Sequence, residues 1–438
     1  MFTRLRDLEF KHRNVLRTAL FFAVICGFVF YNAVLTTPQR KASAYGKTDL
    51  AVFYVAGSSV IGTIDLEPPE LYERAPIKEA IKSVRPQLGG TWFLYPPQAA
   101  LFFAPFGLAK LGIVNSVWLF LNCILFLVSF YLAINFLIGD RQLLRYRYSL
   151  IIMALTAAGP VNGLIQTGQI NGVIWLLMLG GITLILLKHP YLAGTAFGIA
   201  TSIKVFPILF FPYLLLKKKW KAAAAFFFSC VVFLVASLPV FGMDTYFRFI
   251  KKTFIPLAQG SIGTLYKSAS LYGSFRKAIE QNVFSGIDIS KKSLINNADP
   301  YFTALALVML LIVSVLLWKR RNLHRGQDLL IDYSLIISFF LVFSKNVHSQ
   351  YAFWILPIII WAITQTWHRG SRRLIVLGSI LLALTQYTRF LPEAVQFWWI
   401  IKPETLGLLG VFLFTAFACR KDFREKHIIG LLPPHDKA

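Results

Sequence analysis

The sequence predicts an all-α, polytopic membrane protein of about twelve transmembrane helices, and three observations lead there. Of the 438 residues 56% are hydrophobic and 40 are Phe, with a mean hydropathy of +0.61, a composition unsuited to an ordinary water-facing surface. Apolar windows suited to a hydrocarbon layer about 30 Å thick recur along the whole length. Lys and Arg gather in alternate connections between those windows, as they do where short loops stay cytoplasmic. No separate soluble domain is expected, so residues 1–438 read as one transmembrane domain.

The first apolar run, 15–35, is too long for a signal-peptide core and lacks a small-residue cleavage site, so it reads as a retained helix. A polar connection over 36–112 follows, expected to carry interfacial helices. The remaining spans are 113–138, 148–160, 172–187, 191–203, 205–216, 222–241, 301–318, 329–343, 351–366, 374–387 and 405–418. Several fall short of the roughly 20 residues a straight span needs. The pair flanking Lys204 and Pro207 therefore reads as broken or partly re-entrant helix.

Orientation follows from the basic clusters. These are Arg4, Arg6, Lys11 and Arg13; Arg141, Arg145 and Arg147; Lys217, Lys218, Lys219 and Lys221; Lys319, Arg320, Arg321 and Arg325; Arg369, Arg372 and Arg373; and Arg420, Lys421, Arg424 and Lys426. Twelve spans put all of them on one side, with both termini cytoplasmic and the long connections 36–112 and 242–300 outside a plasma or inner membrane. The net charge of +25 is then accounted for by loops facing anionic lipid headgroups. Nucleic acid is not implied as a partner, because no zinc-ligand spacing, aromatic platform or basic soluble module accompanies the charge. Cys26, Cys123, Cys230 and Cys419 lie within or at the cytoplasmic ends of spans and imply no disulfide framework.

The informative residues are ionisable and polar groups near the outer face, since such groups at a membrane boundary are costly and usually face a cavity. Asp49 and Phe53 share a helical face, with Val52 and Ala56 beside them, which reads as an amphipathic helix on the membrane surface. A helix start capped by Thr48 and Asp49 would look the same. At the other end of this connection, Trp92 and Tyr95 suit the headgroup layer and Pro96-Pro97 fixes the entry to a second interfacial helix. Lys204, between two apolar segments, reads either as the partner of an anionic lipid head or as a lysine snorkelling to the interface. The carboxylates Asp65, Glu67, Glu70 and Glu73 lack a histidine partner or a ligand-loop spacing, so a metal is conceivable but not indicated and no cofactor is expected.

Six motifs in order carry a family resemblance. They are Asp49-Leu50-Ala51-Val52-Phe53-Tyr54, Phe93-Leu94-Tyr95-Pro96-Pro97, Gly168-Gln169-Ile170-Asn171, the run from Gly198 through Lys204 to Pro207, Ser268-Ala269-Ser270-Leu271-Tyr272-Gly273, and Ser344-Lys345-Asn346-Val347-His348-Ser349-Gln350-Tyr351. With these the chain resembles the GT-C superfamily of integral-membrane glycosyltransferases, and within it glycosyltransferase family 87, the polyprenol-phosphate-mannose-dependent mannosyltransferase-like group. The last motif departs from the family pattern: Lys345 stands where proline is common, and His348 is its one histidine.

The resemblance implies an inverting hexosyltransferase, mannose being the first expectation for its sugar. Its donor would be a polyprenyl-phosphate sugar, and its acceptor a lipid-linked or glycan hydroxyl at the outer face. Asp49 would be the general base. Lys204, His348 and Lys345, with Arg276 and Arg389 as weaker candidates, would hold the donor phosphate. Tyr95, Gln169, Asn171 and Tyr272 would touch substrate, although capping by Asn171 and a plain loop histidine at 348 are equally simple readings. A twelve-span transporter or flippase of a lipid-linked substrate is the alternative. Against it, no internal repeat is visible and the ionisable residues concentrate at the outer face rather than the midplane.

Overall fold

A computed structural model describes residues 48–86, 92–138, 164, 167–260, 268–280, 291–364 and 403–419. The spans expected at 15–35, 148–160 and 374–387, and the candidate Arg389, lie outside the described residues. What is described is helical throughout, apart from one isolated bridge between Ser268 and His348.

The connection after the first expected span holds α1 (Thr48–Val60), a 3-10 turn (Pro68–Tyr72), α2 (Arg74–Val84), α3 (Ala99–Phe103) and a second 3-10 turn (Ala104–Leu108). Next come α4 (Leu111–Leu132), extended by a π-helical stretch over Ala133–Ile138, then α5 (Asn171–Leu186), α6 (Pro190–Ile203) and α7 (Phe210–Leu216). The chain continues with α8 (Trp220–Arg248), α9 (Ile255–Gln259), α10 (Leu271–Glu280), α11 (Lys291–Lys319), α12 (Gly326–Phe343), α13 (Leu356–Thr364) and α14 (Pro403–Ala418). Among the described residues four stretches are long and apolar enough to cross a membrane: Leu111–Leu137, Trp220–Gln259, Ala298–Lys319 and Gly326–Phe343. Together with the shorter apolar helices they make a polytopic, all-helical membrane fold.

The break expected near Lys204 is present. Helix α6 stops at Ile203, Lys204 is extended, and a short 3-10 turn (Phe206–Leu209) containing Pro207 leads into α7. Proline has no N–H to give, so the chain restarts there rather than extending α6. Helix α8 is also interrupted close to its expected end, at Gly242, where φ is 66°. In the region 242–300, read as an outer loop, the described residues are helical in large part.

Of the described helices, α6 and α8 share the most extensive contact. Gly194 and Gly198, four residues apart on one face of α6, permit it: a Cβ on Gly194 would stand 2.0 Å from the Ala222 carbonyl oxygen, and one on Gly198 2.6 Å from Ser229 Cβ. Close approach through small residues suits helices in lipid, where association relies on van der Waals contact rather than on expulsion of water. Helix α12 is central, its residues 328–338 all buried, whereas α8 and α11 expose apolar side chains such as Phe228, Val232, Leu307 and Leu311 to the surroundings.

Two sequence expectations are corrected here. Helix α1 is not an amphipathic helix lying on a membrane: Leu50, Ala51, Val52, Phe53, Val55, Ala56 and Ser58 are all buried, because α3 and the following turn cover the face that would otherwise be free. Lys217 and Arg320 do not face lipid headgroups. Lys217 Nζ lies 2.6 Å from Asp332 Oδ2 and donates to the carbonyl oxygens of Arg320 at 2.8 Å and Leu323 at 3.1 Å. Arg320 Nε is 2.6 Å from Asp332 Oδ1 and its Nη2 donates to the Asp328 carbonyl at 3.0 Å. Two buried cations meet two carboxylates from α12, which offsets the cost of removing the charges from water. This network ties the α7–α8 connection to the α11–α12 connection at one end of the bundle. Gly326 packs against the Phe136 and Leu137 carbonyls at that same end.

Candidate active site

At the opposite end, reached along α7 and α12, five separated segments converge, the break at Lys204 among them. Asp49 comes from the first turn of α1. Tyr95 comes from the Tyr-Pro-Pro segment, where the Pro96 and Pro97 carbonyls accept from Ala99 and Ala100 N–H at 2.9 and 3.0 Å and so start α3. Tyr72 Oη donates to the Tyr95 carbonyl at 2.8 Å, and the Tyr95 ring meets Phe53 edge-on at 5.0 Å. Tyr95 is thus buried within the protein and not in a headgroup layer as its sequence context suggested.

Gln169 and Asn171 come from the turn that opens α5. Gly168 adopts φ 67°, a left-handed conformation that glycine takes without a side-chain clash, and its carbonyl accepts from Trp118 Nε1 at 2.8 Å. Tyr351 comes from a 3-10 turn (Ser349–Ile355) with His348 at its N-cap. Three residues per turn align Tyr351 with Trp354, and the two rings stack at 4.9 Å. Trp354 Nε1 in turn donates to the Asn171 carbonyl at 3.3 Å.

Within this frame the Gln169 amide nitrogen donates to Asp49 Oδ2, and Tyr95 Oη donates to Gln169 Oε1 at 3.0 Å. Thr167 also hydrogen-bonds the Asp49 carboxylate. Lys204 Nζ donates to Asn171 Oδ1 at 2.9 Å and Tyr351 Oη at 2.8 Å, and sits 4.2 Å over the Tyr351 ring and 5.5 Å from the Tyr95 ring centre. The Asn171 side chain therefore faces Lys204 instead of capping α5, and its buried Nδ2 has no partner among the described residues. Asp49 and Lys204 lie outside the four long spans and are half-buried. Burial pushes the Asp49 carboxyl up to about 6, against the opposing pull of the Gln169 hydrogen bond and the Lys204 charge. Burial pushes the Lys204 ammonium down to about 7, opposed by the Asp49 charge. A carboxylate in that range is suited to take a proton near neutrality.

The other nominated residues form a second group. Lys345 Nζ is paired to both oxygens of Asp299, at 2.7 and 2.8 Å, and lies 5.5 Å from the Tyr272 ring centre. The Tyr272 hydroxyl is hydrogen-bonded with Asp299 and Arg276. His348 stands between the groups, its ring 5.9 Å from that of Tyr351. Ser268 and Ala269 act on the main chain of this motif: Val347 N–H donates to Ser268 Oγ at 2.9 Å and Ala269 N–H to the Val347 carbonyl at 2.6 Å. Sequence alone does not single out Tyr351, Thr167 or Asp299, although Tyr351 closes the last of the six motifs. Of the acidic residues near α2, Glu73 pairs with Arg248 at 2.8 Å and with Lys252, and Glu70 reaches back to the Glu67 N–H at 2.9 Å. Among the described residues no group of three or more His, Cys, Asp or Glu side chains is placed to hold a metal ion.

A helical membrane fold with a carboxylate and an ammonium gathered among buried aromatic and amide side chains at one end defines a membrane protein built around a polar site. The chain belongs to Glycosyltransferase family 87, which it matches over residues 93–344, and is a glycosyltransferase. This decides between the transferase and transporter readings. The chain is also similar, at 25% identity over 334 residues, to the polyprenol-phosphate-mannose-dependent alpha-(1-2)-phosphatidylinositol pentamannoside mannosyltransferase of Mycobacterium tuberculosis, with 74% of this chain and 71% of the relative covered. The family match includes Tyr95, Gln169, Asn171, Lys204, Tyr272 and Arg276. Asp49 precedes it, and Lys345, His348 and Tyr351 follow it.

Proposed function

We propose that this enzyme moves a hexose, mannose in the first instance, from a polyprenyl-phosphate donor to a hydroxyl of a glycolipid or glycan acceptor, with inversion, at the extracytoplasmic face of the cell membrane. The donor and sugar classes are those in the name of the mycobacterial relative. The observation that carries the mechanism is the convergence of Asp49 and Lys204 in one hydrogen-bonded constellation.

The acceptor hydroxyl gives its proton to Asp49 while its oxygen bonds to the anomeric carbon. The bond from that carbon to the phosphate oxygen breaks with its electron pair, and polyprenyl phosphate leaves carrying the extra negative charge. Lys204 and the unpartnered Asn171 Nδ2 are the donors for that charge. Basic side chains would meet the need of a single phosphate, and His348 would stand at the edge of the same site. The outer-face assignment draws on the basic connections: those carrying Lys217 and Arg320 meet at the end away from Asp49. Twelve spans with both termini cytoplasmic complete this reading.

The test is Asp49→Asn in proteoliposomes supplied with polyprenyl-phosphate mannose and a phosphatidylinositol mannoside acceptor. Transfer should fall by about 10²–10⁴-fold with donor binding retained. Activity at the parent level would remove Asp49 as the base.

A further inference from the structure

Gln169 was expected to contact sugar, yet both ends of its amide are taken by protein. A carboxylate can only accept, so the amide nitrogen must face Asp49, which leaves Oε1 for the Tyr95 hydroxyl. The residue is 6% exposed, and its main chain is held by the Leu164 carbonyl, which accepts from Gln169 N–H at 3.2 Å. Tyr95 is fixed in turn by Tyr72 and Phe53. A buried amide with both ends bonded cannot turn over without breaking two hydrogen bonds, so Tyr95, donating to Oε1, holds the amide with its nitrogen toward Asp49.

We propose that Gln169, oriented by Tyr95, is the positioning residue of the Asp49 base: it holds the carboxylate in place, ionised, with its remaining lone pairs free for the acceptor proton. This rests on Asp49 being the base. The other groups facing Asp49 are Thr167, the Lys204 ammonium and the Tyr95 and Tyr351 hydroxyls, none of which the two Gln169 variants alter. Loss of the Gln169 donor removes a hydrogen bond to the charged form and moves protonation to higher pH. Gln169→Glu keeps the shape and places a second carboxyl beside Asp49, so that the pair shares a proton and the shift is larger.

The experiment uses the full chain in detergent and needs no substrate. A carbodiimide that modifies protonated carboxyls is applied across a pH series, and labelling of Asp49 is read by peptide mass spectrometry in the parent, Gln169→Leu, Gln169→Glu and Tyr95→Phe. The labelling midpoint should rise by about one pH unit in Gln169→Leu and further in Gln169→Glu, with a smaller rise in Tyr95→Phe. Gln169→Glu carries the test if the leucine variant fails to elute as a folded species. In the transfer assay, the rate at saturation should drop about 10–100-fold in Gln169→Leu with the donor KM little changed. An unmoved labelling midpoint in both Gln169 variants overturns the proposal, as does a raised KM with the saturated rate intact, which would mark a substrate ligand. Asp49→Asn assayed alongside separates the two readings: if that variant remains active, the base assignment fails, whereas an inactive Asp49→Asn with an unmoved midpoint condemns the positioning role alone.

Discussion

In the proposed reaction Asp49 and Lys204 have opposite protonation needs, which makes its pH dependence a reading of both. Asp49 must be ionised to accept a proton, so kcat/KM should fall as the pH drops through about 6. Lys204 must be charged to hold a phosphate, so kcat/KM should also fall as the pH rises through about 7. A bell with these limbs is expected in the free enzyme, measured by initial rates at low donor concentration. Bound phosphate favours the ammonium, so the alkaline limb of kcat should lie at higher pH. Lys204→Ala removes a charge-assisted contact worth roughly 1.5–3 kcal/mol and should weaken donor binding about 10–100-fold in a direct binding assay. Lys345→Ala should weaken it less, because the Lys345 charge is already matched by Asp299. Sequence alone could put Lys204 ahead, for its place between two apolar segments, but could not show that Lys345 is already matched, since the carboxylate that occupies it lies 46 residues away in the chain.

At the scale of the helix, the placement of Lys204 depends on where α6 is seated, and Gly194 sets that seat. Even a methyl group on Gly194 would collide with the Ala222 carbonyl, a backbone atom that cannot swing aside. Gly194→Ala should therefore cost about 1–3 kcal/mol of packing strain and lower both thermal stability in detergent and transfer activity, because Lys204 caps the displaced helix. Gly180→Ala on α5 is the control: nothing lies within 4 Å of its would-be Cβ, and stability should hold. The break at Lys204 and the interruption of α8 at Gly242 were both legible beforehand, as Pro and Gly punctuate helices through local sterics. Burial of α1 was not legible. Its sequence is compatible with either a membrane surface or a protein interior, and only packing by α3 and the following turn chooses between them.

Across the whole molecule, polar groups are divided between the two ends of the bundle, joined by α12. At the end away from Asp49, the Lys217–Asp332–Arg320 network closes the helix connections. Asp332→Asn would leave two buried cations short of a carboxylate and should cost about 3–5 kcal/mol, seen as a fall in thermal midpoint in detergent. The 18 residues of α12 span about 27 Å, so the folded fraction of that variant should keep the parental pH profile. A shifted acid limb would show that the two ends communicate.

Composition and apolar periodicity determined that this chain is a polytopic helical membrane protein, because the hydrocarbon layer leaves few ways to satisfy a backbone. The order of six short motifs was enough to indicate the glycosyltransferase family. Tertiary structure alone decided what each polar group faces. It gave Gln169 to Asp49, Asn171 to Lys204, Lys345 to Asp299, and Lys217 and Arg320 to Asp332. A membrane penalises each unpaired polar group, but the identity of the partner depends on which helices meet, and that is a property of packing over long chain separations.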